Sequence, residues 1–505
     1  MIRRWRHALW QRRLAGLRGR DSHTAAFRLT RLCLSALATV PVMAFWSNHC
    51  LGQIYESVGD RREALRYYEL ALHSGRVRDP SLFHHLGIVL ASVGRYEEAE
   101  TQLRQSIEHK PRAWWSFKAL GEIKLHQNKW SEAIQLFEKT LELNNVEPWS
   151  HFHLYEARRL TLGSAAALNM WLDGVLDAPQ MPQLHMRVGT LWVEDAHYSA
   201  GHMEKLRRVA DRYPDCQEVS YILGFVLGKM GCVAEATEVL QQHMLLAWKR
   251  DYQASAGSSL PVKEPEFIII GSGKGGSTAL YHYLVDHPLI CSAIIKEVMF
   301  WDKYYDYGLA WYRACFMPIP ENAPQITGEG SITSLWQEDA PHRVAEFRRD
   351  MKLLLIIRDP VDRAYSDYHM HRRLGHELLE WDVLAEQVLQ QFPRCPLEPD
   401  ETLDIVHGHK FLIHSAILPY LKRWRAYFPA QQFLILRNQD LSADAQGTVN
   451  AAYAFLGLPP HTLSSTARSN VGSYPAMSIE LEQRLRRWFQ PHEDALANYL
   501  ATDMV

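Results

Sequence analysis

The stretch FIIIGSGKGGSTALYHYLVDHP, Phe267 to Pro288, decides the fold of the carboxy-terminal half of this chain. Phe267 to Ile270 is an unbroken apolar run, the pattern of a strand buried on both faces. GSGKGGST follows at once, from Gly271 to Thr278, and ALYHYLVDH then reads as a helix. Where a strand, a glycine-rich turn and a helix follow one another, backbone N–H groups and the helix amino terminus converge on one anion, so a phosphorylated ligand is expected. A nucleoside triphosphatase loop reads GxxxxGK[ST], and aligning Gly271 and Gly276 with its glycines puts Ser277 where that lysine must stand. The lysine is instead Lys274. This shift argues against magnesium-dependent ATP or GTP hydrolysis and against a nucleotide kinase.

Working outward, a linker rich in small and turn residues, QASAGSSLPVKEP from Gln253 to Pro265, precedes the strand. Downstream stand KEVMFWD (Lys296 to Asp302), YDYGLAWYRACF (Tyr305 to Phe316), TGEGSITSL (Thr327 to Leu335) and KLLLIIRDPVDRAYSDYHMHRRLG (Lys352 to Gly375). ILPYLKRW, beginning at Ile417, leads to the FLGL helix that ends near Pro459, and NVGSYPAMS follows from Asn470 to Ser478. Taken in order, these segments resemble the Golgi-type and bacterial carbohydrate sulfotransferases, whose pattern is a strand, GxxKGGTT or GxxKGGST, and a helix. The resemblance covers residues 264 to 498.

That resemblance implies a donor, 3'-phosphoadenosine 5'-phosphosulfate, and an acceptor that is a carbohydrate or another hydroxyl or amine compound. It implies that Lys274, Gly275, Gly276, Ser277 and Thr278 hold the 5'-phosphosulfate, that Arg358 and Ser366 hold the 3'-phosphate, and that Glu297 is the catalytic base. The chemistry suits these residue types. Sulfuryl transfer in line needs cations and N–H donors on the leaving side, a base on the attacking side, and a guanidinium fork to select the 3'-phosphate. No step calls for a metal, and no ligand cluster is visible. Each residue also has a structural reading: Lys274 as a solvated turn residue, Glu297 paired with Lys296 or Lys303, and Arg358 and Ser366 as caps. His287, in DHP, reads as structural and is the reserve base. The chain departs from its relatives at Gly330, where many carry lysine, at Ser415 and Ile417, and in having no cysteine after Cys395. An alternative reading is therefore a repeat scaffold whose sulfotransferase domain is degenerate.

The amino-terminal half repeats itself. Gly52, Gly87, Gly121, Gly189 and Gly224 are separated by 35, 34, 68 and 35 residues. Twelve residues after each stands a small residue, Ala64, Ala99, Ala133, Gly201 and Ala236, with Ala167 in a unit whose glycine is replaced by Tyr155. SVGDRREA, SVGRYEEA and QNKWSEA sit between the two marks as turn signals. A period of this length means stacked helical hairpins, and the segments from 47 to 246 resemble tetratricopeptide repeats. Such a solenoid offers a concave face for a protein or peptide ligand. Trp114, Trp115, Trp130 and Trp149 read as buried packing rather than as a sugar-binding row.

The expected fold is thus an all-α tetratricopeptide-type solenoid followed by a three-layer α/β, P-loop-like domain with a mostly parallel central sheet. The expected boundaries are a basic segment with an apolar capping helix at 1–46, repeats at 47–250, a linker at 251–265 and the sulfotransferase domain at 266–505. Of 505 residues 47% are hydrophobic and 22% charged, with a formal net charge of -2, so bulk charge predicts no nucleic-acid partner. Seven scattered cysteines without metal-ligand spacing fit a reducing, cytoplasmic compartment. The alternative is a membrane anchor through residues 32–46, although 15 apolar residues interrupted by Pro41 fall short of a span.

Overall fold

The computed structural model describes residues 34–35, 41–57, 60–74, 79–145, 147–177, 199–252, 262–373, 378–395, 397, 410–466 and 477–502. They form two compact units, one ending at Thr161 and the other beginning at Leu162. The arginine-rich start, Gly189, Pro179, residues 253–261 of the linker and Asn470 to Ala476 lie outside the described residues.

Among the described residues of the first unit, three helical hairpins run in sequence, α1 (Pro41–Ser57) with α2 (Arg61–His73), α3 (Pro80–Ser92) with α4 (Tyr96–His109) and α5 (Trp114–His126) with α6 (Trp130–Leu143), followed by α7 (Pro148–Leu162). The repeating glycines have one cause. A Cβ built on Gly52, Gly87 or Gly121 would lie 2.4 Å from the Tyr68 ring, 2.7 Å from Leu103 Cγ or 2.8 Å from the Phe137 ring, and each of these partners stands sixteen residues later. The glycine lets the second helix of each hairpin close on the first, and Ala64, Ala99 and Ala133 are fully buried in the same seam. Turns between paired helices need a left-handed residue, supplied by Gly94 (φ 82°) and by Asn128 (φ 58°), a side chain that tolerates it.

Two expectations change here. The first repeat helix takes in Pro41 to Trp46, ahead of the boundary expected at residue 46. Among the described residues no helix is long and apolar enough to cross a membrane. The tryptophans are not buried packing: Trp114, Trp115 and Trp130 are only partly covered, and Trp149 keeps 50% of its surface exposed, edge-on to Phe152 at 5.9 Å.

The second unit opens with α8 (Ser164–Asp177), α9 (Ala200–Arg212), α10 (Gln217–Lys229) and α11 (Val233–Tyr252). Gly224 against Leu240, at 2.8 Å, repeats the sixteen-residue relation. The small-residue mark fails at Gly201, which is exposed and has only Ser199 Oγ, 3.7 Å away, near a built Cβ. The buried side of α9 is instead His202, Met203, Leu206 and Val209, because the Ser199 and His202 side chains close a capping box that turns His202 inward.

The sheet follows, in the order β2-β3-β1-β4-β5 and parallel throughout: β1 (Phe267–Gly271), β2 (Ile290–Ser292), β3 (Ile326–Glu329), β4 (Lys352–Ile357) and β5 (Phe433–Arg437). Phe267 and Ile269 face a core with the helices α12 (Ser277–Val285) and Ala445–Leu456, while Ile268 and Ile270, equally buried, face the other side. The helices α13 (Gly308–Ala314) and α14 (Ala340–Phe347) follow β2 and β3 in the chain. From β1 the chain moves toward β3, and from β4 it moves toward β5. The carboxyl ends of β1 and β4 therefore form the switch point at which such sheets bind ligands. Gly271 is in register with Leu355, so the loop after β1 lies beside the residues that end β4.

Candidate functional site

The loop after β1 is shaped by its backbone. Lys274 has φ 65° and Gly276 φ 106°, both left-handed. The loop is also tightly seated, since a Cβ on Gly275 would lie 2.6 Å from Ile356 O and one on Gly276 2.7 Å from Asn438 Nδ2. Ser272 N donates to Ile356 O at 2.9 Å, and Asn438 Nδ2 donates to Gly275 O at 2.8 Å. As N-cap of α12, Gly276 offers no capping side chain, so the first N–H groups of Ser277 and Thr278 face outward without an intrahelical acceptor. That is the donor set an anionic phosphate needs. Lys274 Nζ lies 3.6 Å from Met370 Sδ on the helix α15 (Pro360–Arg373), so the lysine is folded across the loop toward that helix.

Arg358 stands just past β4 and donates through Nη1 to Lys274 O at 3.3 Å. Ser366, 7% exposed, lies on α15 two turns beyond it. The sequence-predicted groups Lys274 to Thr278, Arg358 and Ser366 are thus gathered at the paired ends of β1 and β4. Glu297 lies on the connection after β2, whose Lys296 O accepts from Gly330 N at 2.8 Å, just past the end of β3. β3 adjoins β1, so three neighbouring strand ends carry the candidate residues. Glu297 is partly exposed and its Oε1 is hydrogen-bonded by Lys296 Nζ. The stem of Lys296 runs 3.5 Å from where a Gly330 side chain would begin. His287 is 2% exposed, accepts from Leu289 N at 3.0 Å and has Nε2 at 3.1 Å from Pro459 O. With both ring nitrogens engaged and burial lowering its proton affinity, His287 is structural.

Two residues that the sequence reading passed over organise this site. Glu329, at the end of β3, is fully buried and its carboxyl accepts from Val298 N (3.2 Å), Trp301 Nε1 (3.2 Å), Tyr312 Oη (2.9 Å) and the Ser331 hydroxyl. Burial pushes its pKa up to about 7, against the hydrogen bonds from Ser331, Tyr312 and Val298, which pull it down. It thereby fastens the segment that follows Glu297 to the sheet. Arg363, 1% exposed, donates from Nε to Ser415 Oγ (2.6 Å), from Nη1 to Gly273 O (3.1 Å) and Asp367 Oδ2 (3.3 Å), and from Nη2 to Phe411 O (2.7 Å). It links the phosphate loop to α15 and to the segment after residue 410. Ser415, one of the departures from the relatives' pattern, is its partner. Of residues 372–410, to which the sequence assigns no motif, 374–377, 396 and 398–409 lie outside the described residues, and the part between carries α16 (Trp381–Gln391).

Residues 264–472 match the family model described as "Sulfotransferase domain". Residues 50–80 and 85–148 match models described as "Tetratricopeptide repeat". The chain is 33% identical over 204 residues to human bifunctional heparan sulfate N-deacetylase/N-sulfotransferase 3, covering 39% of this chain and 23% of the relative. It is 33% identical over 199 residues to mouse heparan sulfate glucosamine 3-O-sulfotransferase 5, covering 39% of this chain and 54% of the relative. The chain thus spans about a quarter to a half of the length of these relatives. Among solved structures, a sulfotransferase from Alicyclobacillus acidocaldarius aligns with TM-score 0.36 and 22% identity, over 46% of this chain and 93% of that one.

Proposed function

We propose that this chain, which joins tetratricopeptide repeats to a sulfotransferase domain, transfers a sulfuryl group from 3'-phosphoadenosine 5'-phosphosulfate to a hydroxyl or amine of a carbohydrate. One observation carries the reading: the phosphate loop and the Arg358–Ser366 segment meet at the ends of two adjacent strands, joined by the Arg358 to Lys274 O bond. Two anion sites side by side suit a nucleotide with phosphates at both ends of its ribose.

The residues fit that donor. The outward N–H groups of Ser277 and Thr278, with Lys274, would hold the 5'-phosphosulfate, and Arg358 and Ser366 the 3'-phosphate. The bound donor supplies an activated sulfuryl group on a phosphate leaving group. Lys274 and the loop N–H groups stabilise charge that grows on the bridging oxygen. Glu297 removes the proton of the attacking hydroxyl or amine, and Lys296, bonded to it, orients the carboxylate. The relatives' names, of which one gives heparan sulfate N-sulfotransferase and the other heparan sulfate glucosamine 3-O-sulfotransferase, support a glucosamine-containing polysaccharide as acceptor.

The test is calorimetric titration with adenosine 3',5'-bisphosphate without magnesium, beside ATP with magnesium, followed by transfer of radiolabelled sulfate to heparan sulfate and to its N-desulfated form. Micromolar bisphosphate binding, weaker ATP binding and a labelled polysaccharide are expected. Binding without transfer would leave the degenerate scaffold as the better reading. No binding by the folded chain would overturn the donor assignment.

A further inference from the structure

The helix α10 of the last repeat lies against the segment that carries Glu297, and it holds that segment at both ends. At one end, Gln217 Nε2 donates to Ala293 O at 3.2 Å and to Ile294 O at 2.5 Å. Both residues are buried, and both partners are carbonyl acceptors, so only the amide NH2 satisfies them. At the other end, Phe225 meets Tyr304 edge to face with ring centroids 4.9 Å apart. Gly228 presses so closely on Tyr307 that a Cβ would lie 2.5 Å from its ring. Glu297 sits between the two holds. The segment is also strained: Met299, a non-glycine residue, has φ 53°, a conformation that persists only where its surroundings impose it.

We infer that the last repeat is a working part of the catalytic unit, with Gln217 a positioning residue that fixes the Ala293–Tyr307 segment and hence Glu297. The inference rests on the sulfotransferase reading above. Its physical basis is that a base on an irregular segment is only as well placed as the segment's anchors, and an error of about 1 Å in such a group costs up to about a hundredfold in rate. Gln217 touches neither donor nor acceptor in this scheme. It acts through two carbonyls, three and four residues before Glu297.

The experiment uses the 505-residue chain with Gln217→Ala and Gly228→Val, which disturb opposite ends of the segment, and, as a control on α11, Glu235→Ala, a half-exposed residue paired with the exposed Arg207. Three readouts are taken: kcat for sulfate transfer, Kd for adenosine 3',5'-bisphosphate, and amide hydrogen exchange across residues 293–307. Both variants should lose about tenfold to a hundredfold in kcat, with the bisphosphate Kd unchanged within about twofold and exchange accelerated in that segment alone. Glu235→Ala should match the wild type. Unchanged exchange, or faster exchange with unchanged kcat, would overturn the inference, as would loss of bisphosphate binding in parallel with kcat. A wild-type chain that binds the bisphosphate but transfers nothing would sink the proposed reaction and with it the catalytic half of this inference. The exchange data would then show independently whether the repeat holds the segment.

Discussion

Arg358 Nη1 donates to the carbonyl oxygen of Lys274 at 3.3 Å, so the arginine that ends β4 is bonded to the apex of the loop that ends β1. On the proposed function one guanidinium serves both anion sites, with one N–H on the loop and the rest of its fork left for the 3'-phosphate. Charge-assisted hydrogen bonds contribute about 1.5–3 kcal/mol each. Arg358→Ala should weaken adenosine 3',5'-bisphosphate by about tenfold to a hundredfold or more in calorimetry, while adenosine 5'-phosphate, lacking the second phosphate, loses little. Arg358→Lys keeps the charge but not the fork and should recover only part of the affinity. Equal losses for both nucleotides would assign Arg358 to the loop alone.

Glu297 is paired with Lys296 on a segment anchored at the end of β3, and its carboxylate is partly open to solvent. Glu297→Gln keeps the shape and removes the base. Turnover should fall by about a hundredfold to ten-thousandfold, with bisphosphate affinity unchanged. Rapid-quench transfer assays beside calorimetry separate the two quantities. A variant with normal turnover would move the base elsewhere on the same segment, since His287 has both ring nitrogens engaged.

What the sequence made legible was whatever a local spacing records. The loop glycines, Lys274, and the strand-to-helix step at Arg358 and Ser366 all lie within short stretches whose residue types state their backbone role. Glu329 was illegible because its partners Val298, Trp301 and Tyr312 stand 31, 28 and 17 residues away, and a lone glutamate ending a strand reads as solvated. Arg363 was hidden for the same reason: on a helix it reads as a surface arginine, and only the fold brings Gly273, Phe411 and Ser415 around it. At Gly201 a one-residue ambiguity in a weak repeat could not be decided from spacing, and the cap at Ser199 decided it for His202.

Glu329 gives a pH signature. Its folded-state pKa is raised from 4.5 to about 7 by burial, so between those values the native chain holds a proton that the unfolded chain has released. Stability from this group is full below 4.5 and is lost as pH rises through about 7. Glu329→Gln, which cannot ionise, should remove that slope, so that the difference in thermal midpoint between variant and wild type shifts in the variant's favour as pH rises across this window. A difference independent of pH would mean that the carboxyl is ionised throughout, held so by its four donors.

Glycine substitutions in the repeats should divide by what a Cβ meets. Gly121→Ala places a methyl 2.8 Å from the Phe137 ring and should cost about 1–3 kcal/mol by overpacking. Gly174→Ala, on an exposed helical position with nothing within 4 Å, should gain about 0.5–1 kcal/mol by restricting the unfolded chain. Opposite signs in chemical denaturation would verify the division. Two losses would mean that Gly174 is kept for a reason other than packing.

Arg363 joins stability to binding. Its guanidinium is 1% exposed, and burial lowers its proton affinity, yet it meets Asp367 and three further acceptors from separate parts of the chain. Removing one member of a buried charged set leaves the others without partners, typically at about 3–5 kcal/mol. Arg363→Ala should therefore lower the unfolding midpoint strongly. Arg363→Lys, still cationic but unable to reach Ser415, Gly273 and Phe411 together, should remain folded with a loosened phosphate loop. In that variant bisphosphate affinity should fall while the helical signal persists, measured by calorimetry beside circular dichroism. Full affinity in a folded Arg363→Lys chain would show that the loop holds its shape through Ser272, Gly275 and Asn438 alone.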